Sequence, residues 1–234
     1  MYEYDSRVRL TEVDENQKMT LMGILNAFQD CSTFHSEDLG VGMAYLTRKR
    51  RMWVLRSWKI VVAHYPKLAE HIRVGTWPYA FDKMTGRRNF RLLSQEGELA
   101  ACADSMWVYM DMERMRPARV DEDVLEAYTL EPKLLMEYEK SQITLLGQME
   151  EKEPFSVHSY QLDVNHHVNN GQYVQMAREY LPKDFLIGQM RAEYKKPAVL
   201  DDVIYPKVFT IQDGYTVLLA DKEERPYAVV EFKV

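Results

Sequence analysis

The chain has 234 residues, 46% hydrophobic, 28% charged and 12% aromatic, and 30 Lys and Arg against 36 Asp and Glu leave a formal net charge of −6. That length allows one large core or two of roughly 100 residues each, and no apolar run reaches the roughly 18–20 residues that span a membrane as a helix. Two cysteines, Cys31 and Cys102, cannot build a disulfide framework and stand in no metal-ligand spacing, and the opening Met1-Tyr2-Glu3-Tyr4-Asp5 lacks a leader pattern. These features predict a cytoplasmic protein without membrane insertion, and the acidic balance argues against nucleic acid as a partner.

In chain order, Leu21, Ile24, Leu25, Phe28 and Cys31 recur at spacings of three and four and predict an amphipathic helix. Runs rich in Val, Ile and Trp follow as predicted strands: Met52–Ala63, then, past a loop at Tyr65-Pro66, Ile72–Phe81. Arg87–Leu93 and Ala100–Met110, joined by a turn at Gln95–Glu98, complete the set. Arg119–Pro154 carries Glu and Lys throughout, with a weak helical stripe at Val124, Leu125 and Tyr128, and reads as a linker over the outside. A second helix is predicted from Tyr173, Val174, Met176, Ala177 and Tyr180. Strands Met190–Lys196, Val203–Ile211, Tyr215–Ala220 and Tyr227–Val234 follow it, with Asp213-Gly214 marking a hairpin.

The two series match. Val13-Asp14-Glu15-Asn16-Gln17-Lys18-Met19 precedes the first helix and Leu162-Asp163-Val164-Asn165-His166-His167-Val168 the second, both reading apolar-Asp-x-Asn-polar-x-apolar. Strands joined by short turns predict antiparallel pairing. The expected class is α+β: two tandem units, each an antiparallel β-sheet wrapped around one long α-helix.

Chemistry concentrates in Asp163–Tyr173, where a carboxylate, an amide and two imidazoles stand within five residues of one another before a helix. Histidine titrates near neutrality and serves as a general base when positioned. Asn169 or Asn170 can cap the helix, and the free N–H groups of its first turn, with the positive end of its dipole, can hold an oxyanion. The same stretch also reads as a plain Asn-Asn-Gly turn with surface histidines. Its first-copy counterpart keeps Asp14 and Asn16 but has Lys18 at the place of His167, the pattern of one active site surviving a duplication. His158, His166 and His167 make no metal site, since no Cys accompanies them and adjacent side chains diverge in extended chain. No Gly-x-Ser-x-Gly hydrolase motif occurs.

The run Asp-x-Asn-x-His-Val-Asn-Asn-x-x-Tyr from Asp163 to Tyr173 resembles the signature of the acyl-acyl-carrier-protein (acyl-ACP) thioesterases, which have a double hotdog fold. Asn26–Gln29, Leu39–Gly42, Trp53–Leu55, Val74–Trp77 and Met106–Met110 resemble successive pieces of that family's N-terminal half. The resemblance implies an N-terminal hotdog over 1–128 holding the acyl pocket, a linker over 129–153 and a catalytic C-terminal hotdog over 154–234. It also implies hydrolysis of fatty acyl-ACP without a cofactor: His167 activating water or the thioester, Asn165 holding the carbonyl or water, and Asp163 orienting both. Asn169, Asn170 and Gly171 would form the oxyanion-binding helix start. Many plant members carry a catalytic Glu followed by Cys in the next strand; here those places hold Pro197 and Ala198, and Glu193 is the nearest carboxylate to assist His167.

Pocket candidates are Met19, Met22, Phe28, Met43, Met52, Trp53 and Met106, though such residues also fill ordinary cores. Carrier proteins are acidic, so docking would fall on the local basic run Arg48, Lys49, Arg50 and Arg51. A homodimer is compatible with this reading. Competing functions are a hotdog acyl-CoA thioesterase and a non-catalytic acyl-thioester-binding protein.

Overall fold

The computed structural model describes residues 1–140 and 142–234. It divides into two compact units, Met1–Arg56 with Ile60–Glu139, and Lys140–Val234 with Ser57–Lys59. In the first unit the strands are β1 (Tyr2–Arg7), β2 (Arg51–Val62), β3 (His71–Phe81), β4 (Thr85–Ser94), β5 (Leu99–Asp111) and the short β6 (Arg116–Pro117). They line up in the order β1-β3-β4-β5-β2, with antiparallel pairing of β1 to β3, β3 to β4 and β4 to β5. The second unit has β7 (Gln148–Glu151), β8 (Phe155–Ser156), β9 (Gln189–Tyr194), β10 (Val203–Ile211), β11 (Gly214–Ala220) and β12 (Pro226–Lys233). Its order is β9-β12-β11-β10-β7, again antiparallel.

Helix α1 (Leu21–Asp38) fills the first sheet. Thr20 caps it by accepting from the Gly23 N–H at 3.0 Å, and Gly40 ends it in the left-handed region at φ +73°. All five residues of the expected stripe, Leu21, Ile24, Leu25, Phe28 and Cys31, are buried. Burying a Leu, Ile or Phe side chain stabilises by about 1.5–3 kcal/mol, so this face alone anchors the helix. Two short helices, α2 (Met43–Lys49) and α3 (Glu122–Ala127), cover one end of the unit, where Val41, Tyr45, Tyr109, Val120, Val124 and Tyr128 pack together.

The second unit's helix, α4 (Asn170–Arg178), has 9 residues against 18 in α1. Its stripe of Tyr173, Val174, Met176 and Ala177 is buried as expected, while Tyr180 lies beyond the last turn. Pro182 accounts for the early stop, because it disfavours helical backbone at Leu181 and brings no N–H of its own. Within the stretch read as linker, Gln148–Glu151 pairs with β10 as an edge strand. That pairing satisfies a row of β10 backbone groups which an open edge would leave to solvent.

The rest of the linker is tied down side chain by side chain. In the first unit the fully buried Asn89 accepts from the Leu134 N–H (3.1 Å) and the Tyr138 hydroxyl (2.9 Å) and donates to the Ala103 carbonyl (3.1 Å). In the second, Arg191 donates to the carbonyls of Lys140 (2.6 Å) and Gln142 (3.3 Å) while pairing with Glu231 at 3.1 Å. Among the described residues no helix is long and apolar enough to cross a membrane.

Candidate active site

The two matching segments fold into the same loop. In the second unit, Asp163 Oδ1 accepts from the backbone N–H groups of Asn165 (2.8 Å) and His167 (3.2 Å), and Oδ2 from the Asn165 amide (3.4 Å). The Asp163 N–H donates to the His167 carbonyl (2.7 Å), and His166 takes the left-handed conformation at φ +61° to close the turn. In the first unit, Asp14 Oδ1 accepts from Asn16 (2.9 Å) and Lys18 (3.0 Å), Asp14 donates to the Lys18 carbonyl (2.9 Å), and Gln17 has φ +59°. A short 3-10 turn precedes each loop, Leu10–Glu12 in one and Ser159–Gln161 in the other, each closed by its third side chain. Asp is required in both because its short carboxylate reaches the two N–H groups that follow it.

His167 and Asp163 are half-buried and Asn165 is exposed. The His167 ring makes no hydrogen bond or ion pair to any described residue. The helix start is resolved donor by donor. Val168 N–H goes to the Ala198 carbonyl (2.9 Å), Asn169 N–H to the Gln161 carbonyl (2.9 Å), and Gly171 N–H to the Asn169 side chain (2.8 Å). That leaves the Asn170 N–H as the donor of this start with no partner among the described residues. The loop, the helix cap and this N–H form one continuous stretch of chain, which brings Asp163, Asn165, His167, Asn169, Asn170 and Gly171 together.

Two tyrosines hold the stretch from behind. Tyr194 of β9 donates to the Asn170 carbonyl (3.1 Å), and the Tyr173 hydroxyl accepts from the Ala198 N–H (2.8 Å), whose carbonyl in turn receives Val168. Burial raises the pKa of both phenols, so both hydroxyls remain neutral. Glu193 is not brought to this loop. Tyr194 faces α4, so its neighbour Glu193 faces the other side of the sheet; it is 2% exposed, accepts from the Ile143 N–H (3.2 Å) and pairs with Lys195. Alternation along β9 makes this facing inevitable once Tyr194 is inward, but nothing in the sequence says which of the two is inward.

The pocket candidates scatter within the first unit. Met19 and Phe28 are buried, Phe28 against Phe90 at 5.3 Å, and Trp53 packs at a tilt against Tyr109 at 4.7 Å. Met22, Met52 and Met106 are half-buried, whereas Met43 is exposed at the start of α2. In the basic run, Lys49 pairs with Asp123 (3.1 Å), Arg50 with Glu113, and Arg51 with Asp111 (3.2 Å). Arg48 lies over the Tyr45 ring instead. Among the described residues no three His, Cys, Asp or Glu side chains converge as a metal site. Sequence reasoning passed over one buried group of polar residues in the first unit, around Arg88 and His35; its signal was a histidine one turn beyond Cys31 on the apolar stripe of α1.

Comparison with known proteins bears on the family and the fold. The chain is 27% identical over 218 residues to oleoyl-acyl carrier protein thioesterase 1 of Arabidopsis thaliana, covering 84% of this chain and 60% of that protein. It spans about 60% of the length of that relative and of oleoyl-acyl carrier protein thioesterase 2 from the same plant. An acyl-ACP thioesterase from Bacteroides thetaiotaomicron superposes with a TM-score of 0.90 at 19% identity, covering 99% of this chain and 96% of that one. The 12:0-ACP thioesterase of Umbellularia californica gives 0.81 at 20%, with 99% and 96% coverage. The fold is therefore the double hotdog. Residues 1–128 match the model of the acyl-ACP thioesterase N-terminal domain and residues 146–227 that of the C-terminal domain, and the chain belongs to the acyl-ACP thioesterase family.

Proposed function

We propose that the protein hydrolyses the thioester joining a fatty acyl chain to acyl carrier protein, releasing the free acid and the carrier thiol. The observation that carries this reading is the pair of equivalently bonded loops of which only one has an imidazole at its fifth place after the apolar residue, His167 against Lys18. In the proposed step, His167 takes a proton from water as the water oxygen attacks the acyl carbon. The carbonyl oxygen gains negative charge and is held by the Asn170 N–H at the positive end of α4. The C–S bond then breaks, and His167 returns the proton to the departing thiolate. Asn165 orients the water or carbonyl, and Asp163 fixes the backbone that carries both.

Glu193 is left out of the acid-base set, because its carboxylate is already engaged by Ile143 and Lys195. Cys31 takes no nucleophilic part; burial pushes its thiol up to about 12. Carrier docking at Arg48–Arg51 belongs to the proposal with Arg48 foremost, since the other three charges are matched within their own unit. A cytoplasmic setting is likewise part of it.

The test is a side-by-side assay of acyl-ACP and acyl-CoA thioesters over several chain lengths, with His167→Ala alongside. Carrier-linked substrates are expected to turn over faster, and His167→Ala to lower turnover by roughly 10²–10⁴ with folding intact. Faster turnover of CoA substrates would move the chain to the acyl-CoA class. No turnover of either would make it an acyl-thioester binder.

A further inference from the structure

The buried stripe of α1 runs Ile24, Phe28, Cys31 and then, one turn on, His35. Across from it, on β4, Phe90 packs against Phe28, and Arg88 two residues away points to the same inner side of the sheet. Arg88 is 8% exposed. Its Nη1 lies 3.0 Å from His35 Nδ1 and donates to Thr76 Oγ1 at 3.3 Å, while the rest of the guanidinium sits 5.1 Å over the Tyr128 ring. Every one of these partners is neutral. No described carboxylate lies within ion-pair distance of Arg88, in contrast to Arg191, the comparably buried arginine of the second unit, which has Glu231.

The cluster contains no internal counter-ion in disguise. Burial, and then the Arg88 charge, push His35 down to about 4, so its ring is neutral and accepts from the guanidinium. The Cys31 thiol is likewise uncharged at neutral pH. The Tyr128 hydroxyl is bound to Ser36 Oγ at 2.7 Å, and Tyr2 stacks on His35 at 5.2 Å, closing the outer side. A cation withdrawn from water with no opposite charge costs several kcal/mol, and removing an anion from beside it leaves just this state.

We propose that Arg88, with Thr76 and Tyr128 at its flanks, is a receiving subsite for the carboxylate of an aliphatic acid. One carboxylate supplies the single negative charge the guanidinium lacks, and it matches the planar fork of donors. A phosphate dianion would leave surplus negative charge buried. The flanking Phe28, Phe90 and Cys31 suit an aliphatic chain rather than a sugar or nucleotide. Binding is read on the resting protein, so the inference stands or falls apart from the thioesterase reading.

Isothermal titration of the full chain with octanoate, suberate, 1-octanol and inorganic phosphate provides the test, on wild type, Arg88→Met and Thr76→Val. Octanoate is expected to saturate the wild type, to weaken at least tenfold in Arg88→Met and severalfold in Thr76→Val. Octanol should be indifferent to both changes, and phosphate should be weaker than octanoate. Suberate binding tighter than octanoate would identify a two-ended acid as the ligand, and equal or weaker binding a monoacid; both uphold the carboxylate site. Should Arg88→Met fail to fold, Thr76→Val and the octanoate-octanol contrast in wild type decide alone. Octanoate affinity unchanged by the substitutions, no saturable octanoate binding in wild type, or a preference for phosphate would overturn the assignment.

Discussion

Replacing Asp163 and Asp14 separately by alanine separates what the shared loop does for folding from what it does for chemistry. Each carboxylate Oδ1 accepts two backbone N–H groups, at 2.8 and 3.2 Å in the second unit and at 2.9 and 3.0 Å in the first. At solvent-reached positions such bonds contribute about 0.5–1 kcal/mol each, so either substitution is expected to cost about 1–2 kcal/mol. For a chain of 234 residues that corresponds to a fall in Tm of about 2–8 °C. Turnover should part company with stability. Asp163→Ala frees the backbone beneath His167, and misplacing a reacting group by about 1 Å costs roughly 10² in rate; Asp14→Ala frees only Lys18. Thermal melts and hydrolysis of acyl-ACP by the same preparations measure both quantities. Equal loss of turnover in the two variants, or none in Asp163→Ala, would refute the claim that one copy of the loop carries the reaction.

Three further outcomes follow from the structure. Glu193→Gln should lower stability by about 1–2 kcal/mol by weakening its pairing with Lys195, while changing turnover less than tenfold; a hundredfold loss would return this carboxylate to the acid-base set. Asn89→Ala removes three hydrogen bonds from a fully buried site and should cost about 3 kcal/mol or more in urea denaturation. His35, held near 4 in the fold against 6.5 unfolded, binds its proton more readily in the unfolded chain. Stability should therefore be unaffected by this group above pH 6.5, decline as pH falls towards 4, and level off below. Because the ring is partly reached by solvent, the decline is about 1–2 kcal/mol, and His35→Gln should flatten it in denaturation curves taken across that range.

Strand positions were legible because alternation and turn chemistry are local: β3, β5, β10 and β12 begin and end within a residue or so of the runs that announced them. The Asp-x-Asn loop was legible twice over, since a short carboxylate bonding the N–H groups two and four residues on needs nothing from elsewhere in the chain. Properties set by tertiary facing were not. Glu193 stands three residues from Met190 and next to Tyr194 in a run that is buried on both faces, so its direction depends on which residue α4 covers. The edge strand Gln148–Glu151 is polar but for Met149 and exposed, and only the open side of β10 makes it a strand. Arg88 follows another cation, Arg87, and nothing local tells the two apart; that the second turns inward follows from the fully buried Phe90 two residues on along the strand.

The straps that fasten the connecting segment have a consequence for how such a molecule arose. Asn89 grips residues 134 and 138, whereas Arg191 and Glu193 grip 140, 142 and 143. Each module therefore keeps its own fastening, and the boundary between Glu139 and Lys140 is a seam where ancestral fusion of two half-size genes would have left both ends already sealed. Two modules that each stand sealed can differ freely, and here one carries His167 where the other carries Lys18 on an equivalently bonded turn.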